Sequence, residues 1–216
     1  MGLSRNTPYR NEVMISSRDV RIFRPDNLLQ CSTMIAIPHF ISPQDYLDLD
    51  RQNPIRHEYR QGLVYAMTGS GDAHSRITIN LLSLLNLYLD ETPCRLYNGD
   101  VKVNYQEDFY YYPDAFVTCD ERDRQDRFIK RYPKLIAEVL STSTEAFDRD
   151  LKFRDYQKLD SLEEYLLISQ DSQCVEVRRR MTDNTWETTI YETGDRIPLT
   201  SLALEFPIER LYRGLD

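Results

Sequence analysis

Two short stretches decide the fold expected for this chain: residues 111–117, Tyr-Tyr-Pro-Asp-Ala-Phe-Val, and residues 135–140, Leu-Ile-Ala-Glu-Val-Leu. Both are apolar runs of the length that crosses a buried sheet, and each contains one carboxylate, Asp114 or Glu138. An ionised carboxylate in such a strand must be paired, hydrogen-bonded or bound to a metal, because uncompensated desolvation is costly. Two acids on neighbouring strands would form an oxygen-rich site suited to Mg²⁺. The pattern therefore predicts a metal-dependent reaction on a phosphate-bearing substrate.

Each of these acids also has an ordinary structural explanation. A single acidic residue in a strand commonly faces solvent at a sheet edge or pairs with an arginine. Pro113 precedes Asp114 and has no backbone donor, which marks a strand start or an edge position. Glu138 instead lies between Ile136 and Leu140 in an unbroken apolar run. Together the two acids favour a shared site, while edge exposure or arginine pairing stays open for each one.

Length and composition fit one globular domain. The chain has 216 residues, 41% of them hydrophobic and 29% charged, which is enough for one sizeable core. Its longest apolar stretches, such as residues 81–89, are interrupted by polar residues and are too short to cross a bilayer. Residues 1–24 are polar and rich in arginine, without the apolar core of a signal peptide. We therefore expect a soluble, cytoplasmic protein.

The spacing of cysteines and histidines gives no sign of a zinc site. Cys31, Cys94, Cys119 and Cys174 are widely spaced and form no C-x-x-C pair. We therefore expect free thiols in a reducing cytoplasm rather than a disulfide framework. The three histidines, at positions 39, 57 and 74, show no H-x-x-x-H spacing.

The net charge of −8 argues against a protein that coats nucleic acid through bulk electrostatics. A nuclease needs only local positive charge around an acidic metal site. The arginine- and lysine-rich segments 122–134 and 178–180 could provide that charge. The first segment is interleaved with acids, and either segment could equally be a solvated surface.

The order of predicted elements indicates an α/β (α+β) protein with a mixed central sheet flanked by helices. Residues 1–35 lack periodicity and are expected to form a loosely ordered N-terminal arm, while residues 36–216 form a single domain. Ser42 is an N-cap signal for a first helix, and Gln61-Gly62 marks a hairpin turn. Apolar residues recur at helical spacing in a second helix, at Ile77, Leu81, Leu84, Leu85 and Tyr88. Strands are predicted over residues 95–97, 101–105, 110–117, 134–140, 165–169, 174–180 and 186–191.

A further helix is predicted over residues 148–159, and it carries Lys152, fourteen residues after Glu138. Docked beside the Glu138 strand, this helix could aim the ammonium at the carboxylate pair. There it would orient or help to deprotonate a water and offset the charge of a phosphorane-like transition state. The alternative is an exposed i, i+4 pair with Asp148. The apolar side of this helix is predicted to carry Leu151, Tyr156 and Leu159.

Several short motifs together resemble one known family. They are Tyr-Pro-Asp ending at Asp114, Glu-Val-Leu-Ser-Thr-Ser-Thr over residues 138–144, and Asp-x-x-x-Lys-x-x-x-Tyr over residues 148–156. In this combination the chain resembles the Uma family of endonucleases, in the PD-(D/E)XK restriction-endonuclease-like superfamily, from about residue 42 to the C-terminus. The resemblance implies a restriction-endonuclease-like core, with Asp114 and Glu138 as Mg²⁺ ligands.

The resemblance also implies roles for other residues. The early glutamate of the family corresponds to Glu58, and the histidine on its first long helix corresponds to His74. Apart from the resemblance, charge and softness suggest the Val139 carbonyl as a further metal ligand beside the two acids. The usual lysine of the superfamily lies two residues after the acidic ligand, where this chain has Leu140. Lys152 could supply the ammonium from the adjacent helix instead.

Three of the polar core candidates have more than one interpretation. His74 would orient a phosphate or shuttle a proton, or it is a buried histidine bonded to a backbone carbonyl. Tyr156 and Tyr165 are expected to be core aromatics with satisfied hydroxyl groups rather than substrate contacts.

The leading hypothesis is an endonuclease that depends on Mg²⁺ or Mn²⁺ and acts on DNA. Its catalytic residues would be Asp114, Glu138, Lys152, Glu58 and His74. A homodimer, with one site for each strand, is expected by analogy. The alternative is a non-catalytic nucleic-acid-binding or assembly module on a nuclease fold, which the acidic net charge and Leu140 favour. A metal-dependent hydrolase of another phosphate ester also stays open.

Overall fold

The computed structural model describes residues 13–15, 20–22, 40–67 and 69–215. Its helices are α1 (Pro43–Gln52), α2 (Asp72–Leu89), α3 (Glu145–Phe147) and α4 (Phe153–Tyr156), with a π-helical turn (Asp148–Lys152) between the last two. Its strands are β1 (Val13–Ile15), β2 (Val20–Ile22), β3 (His57–Arg60), β4 (Leu63–Ala66), β5 (Arg95–Asn98), β6 (Lys102–Tyr105), β7 (Phe109–Tyr111), β8 (Ala115–Thr118), β9 (Ile129–Lys130), β10 (Pro133–Leu140), β11 (Glu164–Ser169), β12 (Cys174–Arg180), β13 (Trp186–Glu192), β14 (Arg196–Leu199) and β15 (Leu204–Pro207).

The larger sheet has six strands in the order β13-β12-β11-β10-β8-β5. Its central pair, β10 and β11, is parallel and the other neighbours are antiparallel, which confirms the predicted mixed sheet. Helix α2 packs on one face, where Ile77, Leu81 and Leu85 are fully buried, as their spacing predicts. A second apolar cluster, which includes Tyr156 and Tyr165, covers the other face.

The smaller sheet has five strands in the order β4-β3-β7-β6-β9. Strands β3 and β4 form the predicted hairpin, and Gln61 and Gly62 adopt positive φ angles of 46° and 90° at its turn. This is the turn geometry that matches the twist of paired strands. Helix α1 begins after its predicted N-cap, Ser42, and packs on this sheet through the buried ring of Tyr46.

The chain passes from one sheet to the other at residues 112–114, which corrects the single strand predicted for residues 110–117. Strand β7 belongs to the smaller sheet and β8 to the larger one. Pro113 breaks the run because it cannot donate to a strand ladder. Asp114 therefore lies at the crossing between the sheets, opposite Glu138 of β10.

The helix predicted for residues 148–159 forms over α3, the π-helical turn and α4, and ends at residue 156. The predicted apolar side is wrong at Leu151, whose exposed fraction is 37%, whereas Lys152 is 5% exposed. A π-helical turn is wider than an α-helical one and changes which residues face inward. Tyr156 and Leu159 are buried as predicted.

Cys94 and Cys119 form a disulfide, which corrects the prediction of free thiols at these positions. The two residues flank the antiparallel pair β5 and β8, whose register brings their Cα atoms to 4.0 Å. They are 25 residues apart along the chain, so only the pairing of the strands makes them neighbours. Cys174 is a free thiol, as predicted.

Parts of the predicted organisation lie outside the described residues. They are most of the arm of residues 1–35, including Cys31, and also His39. Within that arm, β1 and β2 pair in antiparallel fashion. In the part of the chain that is described, no helix is long and apolar enough to cross a bilayer.

Candidate active site

A buried lysine lies where the two sheets meet, and carboxylates surround it. The Nζ atom of Lys152 lies 2.9 Å from Oε1 of Glu138, 3.0 Å from Oε1 of Glu58 and 3.5 Å from Oδ1 of Asp148. Glu138 comes from β10, Glu58 from β3 and Asp148 from the preceding turn. All four side chains are buried, so this is not the exposed helix pair considered as the alternative. One ammonium group faces three carboxylates.

Asp114 and Glu138 are locked together through the backbone. The N–H of Asp114 donates to Oε2 of Glu138 at 3.2 Å, and the N–H of Val139 donates to Oδ2 of Asp114 at 2.8 Å. Within the described ranges, no arginine pairs with either acid. The two acids that the sequence analysis singled out therefore belong to one hydrogen-bonded unit, with the Val139 backbone beside them.

His74 approaches the same unit from α2. Its Nε2 atom lies 3.1 Å from Oδ2 of Asp114, and 12% of its side chain is exposed. Burial acts to lower the pKa of His74, but the hydrogen bond to Asp114 and the charge of that carboxylate outweigh burial. The pKa is therefore raised, with smaller contributions from Asp148 and the Val139 backbone. The Nε2 atom of this imidazole pairs with the Asp114 carboxylate, and the Val139 backbone also hydrogen-bonds the ring, so both interpretations of His74 stay open.

Burial and crowding of like charges raise the pKa of the acids around Lys152. Burial raises the pKa of Glu138 well above its usual range; Lys152 opposes this shift, and the neighbouring carboxylates add to it. Burial also raises the pKa of Asp148 to about 6. Burial acts to lower the pKa of Lys152, but Glu138 and Glu58 outweigh it and raise that pKa well above its usual range. Lys152 therefore stays an ammonium, and the acids exceed what one ammonium can neutralise.

Asp148 belongs to this cluster although the sequence analysis did not include it among the catalytic residues. Thr144 donates a hydrogen bond to its carboxylate. The signal that could have found it is the Asp-x-x-x-Lys spacing with Lys152. The hydroxyl of Tyr156 donates to Oε1 of Glu138 at 3.2 Å, and the hydroxyl of Tyr165 donates to the main-chain carbonyl of Asp148 at 3.0 Å. Both tyrosines are fully buried and have the satisfied hydroxyl groups that were expected of them.

An open cleft of about 260 Å³ leads to Asp114 and His74. The Asp114 side chain is 23% exposed, whereas the side chains of Lys152 and Glu138 lie deeper, at 6% and 5%. A reactant that enters the cleft therefore meets Asp114 and His74 before the buried lysine. The other polar residues that line the cleft are Arg56, Ser70, Ser75, Thr78, Asn98 and Asp100.

The basic segments 122–134 and 178–180 are largely engaged within the protein. Arg180 donates to the main-chain carbonyls of residues 157, 159 and 162. At the cleft itself, Arg56 pairs with Asp100. The ion pairs in the two segments join Arg122 with Asp120, Arg124 with Glu121, Arg131 with Asp126, Lys134 with Glu163, Arg178 with Glu176, and Arg179 with Glu164.

The two acids that are predicted to hold a divalent cation are neighbours in this site. Within the described part of the chain, no three His, Cys, Asp or Glu side chains form a metal site by themselves. Two carboxylates and one main-chain oxygen, from Asp114, Glu138 and Val139, are a different donor set, and Mg²⁺ and Mn²⁺ prefer hard oxygen ligands of this kind. The contacts that described residues make with the Asp114 carboxylate all use Oδ2. The surplus of carboxylates supplies the negative charge that a cation requires.

A mixed sheet flanked by helices, with acids and a lysine gathered at its centre, is the architecture of restriction-endonuclease-like proteins. A solved structure named as a "putative nuclease belonging to DUF820" from Anabaena variabilis has the same fold, with a TM-score of 0.64. The match covers 80% of this chain and 97% of that chain at 21% sequence identity, which shows the fold alone. The predicted fold class is confirmed.

The chain belongs to the Uma2 family, whose model, described as "Putative restriction endonuclease", matches residues 43–209. It is similar to uncharacterized protein slr1290 of Synechocystis sp., with 40% identity over 81% of this chain and 93% of that protein. Uncharacterized protein sll1609 of the same organism is 33% identical over 72% of this chain and 90% of its own length. The family and the shared fold support a nuclease.

Proposed function

We propose that this protein is an endonuclease that depends on Mg²⁺ or Mn²⁺ and hydrolyses phosphodiester bonds of DNA. The observation that carries the proposal is the buried Lys152 ammonium, held by Glu58, Glu138 and Asp148 behind Asp114 at an open cleft. A buried cluster with more acids than bases destabilises a fold, so its position at a cleft favours a chemical role. Membership of the Uma2 family supports the same conclusion.

Asp114, Glu138 and the Val139 carbonyl would hold the divalent cation. When bound, such a cation polarises a phosphodiester oxygen and lowers the pKa of a water for in-line attack. The chain itself fixes the ligands in place. The N–H of Asp114 holds the Glu138 carboxylate, and the N–H of Val139 holds the Asp114 carboxylate.

Lys152 would stabilise negative charge rather than accept a proton. Because its pKa is raised, it remains an ammonium at neutral pH and cannot serve as a general base. A fixed ammonium beside the reacting phosphate offsets the charge that develops on its oxygens. Glu58 would orient this ammonium, because its Oε1 accepts both from Lys152 and from the N–H of Tyr112 at 2.9 Å.

His74 would bind the phosphate at the mouth of the cleft. Its raised pKa favours the charged imidazolium, which would attract a phosphate through its charge while Nε2 contacts Asp114 and Nδ1 stays buried. Ser70 and Ser75 line the same cleft, and their hydroxyl groups would donate to the sugar-phosphate backbone. Because the basic segments are paired internally, the affinity for DNA should depend only weakly on salt.

The direct test is incubation of supercoiled plasmid with the purified protein and Mg²⁺ or Mn²⁺. Asp114→Asn keeps the shape of the side chain but removes its charge, and it should abolish cleavage. Asp90→Asn makes the same change at an exposed position at the far end of α2 and should leave cleavage intact. Equal cleavage by Asp114→Asn and the unaltered protein would assign the activity to a contaminant and overturn the proposal.

A non-catalytic nucleic-acid-binding or assembly module is the competing function, and one observation favours it. The internal pairing of the segments 122–134 and 178–180 leaves little free positive charge for a polyanion, which favours an assembly module over a protein that acts on nucleic acid. Calorimetry with Mn²⁺ and a cleavage panel of DNA and RNA separate the two functions. Heat of binding that is lost in Glu138→Gln, together with no cleavage of any substrate, would replace the endonuclease by this module.

The proposal includes a homodimer with one site for each DNA strand. Light scattering of the protein, alone and with a short duplex, measures this part separately. A monomer that cuts both strands of the plasmid would remove the dimer from the proposal and leave the endonuclease in place.

A further inference from the structure

A second buried ion pair lies beside the candidate active site, in the smaller sheet. The Nζ atom of Lys102, in β6, lies 2.8 Å from Oδ2 of Asp50, in the last turn of α1. The exposed fractions of their side chains are 11% and 3%. A buried pair of this kind stabilises a fold less than apolar packing would, because both charges lose their hydration. Its presence therefore points to a role other than stability.

The remaining hydrogen bonds of Asp50 lead to the active site along two routes. Its Oδ2 atom accepts from the hydroxyl of Tyr112 at 2.6 Å, and its Oδ1 atom accepts from the N–H of His57 at 2.9 Å. His57 directly precedes Glu58, and Tyr112 lies two residues before Asp114. One carboxylate thereby ties down the backbone beside two of the proposed catalytic acids.

The two routes join again at the site. The main-chain N–H of Tyr112 donates to Oε1 of Glu58 at 2.9 Å, the oxygen that also contacts Lys152. Tyr112 is thus held at both ends, by Asp50 at its hydroxyl and by Glu58 at its backbone. Only Pro113 separates Tyr112 from Asp114. Because proline fixes its own φ angle, the backbone between the anchored tyrosine and the acid has little conformational freedom.

We infer that Asp50, Lys102 and Tyr112 are positioning residues, which set the places of Glu58 and Asp114 for the reaction. The inference rests on the proposed function, and it adds three residues from α1, β6 and the crossing that the family resemblance did not suggest. Lys102 neutralises Asp50, so the carboxylate can be buried and can accept hydrogen bonds from both the Tyr112 hydroxyl and the His57 N–H. Burial and the bond to Asp50 raise the pKa of Tyr112, so its hydroxyl stays a donor.

Tyr112→Phe tests the inference because it removes one hydroxyl and leaves the N–H that binds Glu58. Tyr59→Phe is the matched control: its buried hydroxyl donates to the carbonyl of Ile41 at 3.1 Å in the same sheet, away from Asp50. The readout is hydrogen exchange, followed by NMR, at the N–H groups of Asp114 and Val139. These two N–H groups report the interlocked acids because they donate to the Glu138 and Asp114 carboxylates.

Tyr112→Phe should accelerate exchange at these two amides by about tenfold relative to the other amides of β10, whereas Tyr59→Phe should not. A purely structural role would raise exchange along the whole strand, and to the same extent in both variants. That result would overturn the inference. Exchange needs neither metal nor substrate, so the positioning role is measured even if the protein cleaves nothing.

A second readout applies if the proposed activity is present. Tyr112→Phe should lower kcat about tenfold and leave KM for DNA unchanged, since positioning acts on the reacting groups rather than on binding. Asp50→Asn should give the same two-amide pattern with a larger change, because it also leaves Lys102 without its counter-ion. Unchanged kcat in a protein with faster exchange at Asp114 would show that Asp50, Lys102 and Tyr112 do not act on the reaction.

Discussion

Lys152→Met should lower the free energy of unfolding by about 3–5 kcal/mol at pH 8, the loss expected when one partner of a buried ion pair is removed. The side chain is 6% exposed, and its ammonium is within 3.5 Å of three carboxylates. Methionine has similar length and fills the space. The loss of stability therefore measures the cost of burying Glu58, Glu138 and Asp148 without the ammonium that neutralises them.

The loss should depend on pH in a defined direction. Burial raises the pKa of Glu138 well above its usual range and that of Asp148 to about 6, and Lys152 opposes both shifts. A carboxyl group whose pKa is higher in the folded chain binds protons more tightly there, so stability falls as pH rises from the unfolded pKa through the folded one. Without Lys152 both folded pKa values rise further. The difference in free energy of unfolding between the unaltered protein and Lys152→Met should therefore be largest above neutral pH. It should shrink as pH falls toward about 4, where the acids of the unfolded chain also take up protons.

Urea unfolding at a series of pH values measures this effect, with Lys158→Met as the control. Lys158 also contacts two carboxylates, those of Asp108 and Asp155, both at 3.0 Å, but its side chain is 33% exposed. An ion pair near the surface contributes less than about 1 kcal/mol, so the control should lose little and show little pH dependence above about pH 5. Equal losses in the two variants, or a loss in Lys152→Met that does not change with pH, would refute an ammonium enclosed by acids.

Three further predictions concern Asp114, His74 and the disulfide. Asp114→Asn should lower cleavage about 100-fold or more and abolish the heat of Mn²⁺ binding in calorimetry; cleavage that stays normal would contradict its role as a ligand. Burial acts to lower the pKa of His74, but Asp114 outweighs burial and raises it. The bond between His74 and Asp114 therefore stabilises the folded protein most at pH values below about 6.5, the pKa of histidine in the unfolded chain, and less as pH rises through the raised folded pKa. In urea unfolding, His74→Gln should destabilise the protein at low pH and progressively less as pH rises. Reduction of the disulfide between Cys94 and Cys119 should lower the free energy of unfolding by about 3 kcal/mol, the loop-closure value for its separation of 25 residues; mass spectrometry that finds free thiols in the purified protein would contradict it.

The elements that the sequence predicts well are those fixed by local signals. The apolar spacing of Ile77, Leu81 and Leu85 predicts the face that α2 buries, because a helix repeats its faces within four residues. Ser42 predicts the start of α1, and Gln61-Gly62 predicts the hairpin turn, because capping and positive φ depend on one or two residues. In each case the residues that determine the structure are close neighbours in the sequence.

The features that local patterns miss depend on contacts between distant segments. Pro113 marks a strand start or an edge position, but it does not show that β7 and β8 join different sheets, because the residues on both sides of it are equally apolar. The π-helical turn places Leu151 outward and Lys152 inward, where its ammonium meets the acids contributed by β3 and β10. Asp50 is likewise missed, because an acid in the last turn of a short helix looks like an ordinary surface residue until α1 is docked.

The position of Lys152 shows that different parts of a chain can place an ammonium group beside the same carboxylate. Leu140 shares the face of β10 with Glu138 and is buried in the same apolar cluster as Tyr165. A lysine at that position would reach Glu138 along its own strand, whereas Lys152 reaches it from the facing helical segment at 2.9 Å. The proposed reaction needs an ammonium close to the carboxylates, and the direction from which the side chain arrives is set by packing. With Lys152 in the π-helical turn, position 140 is free to be apolar and to fill the core beneath the site.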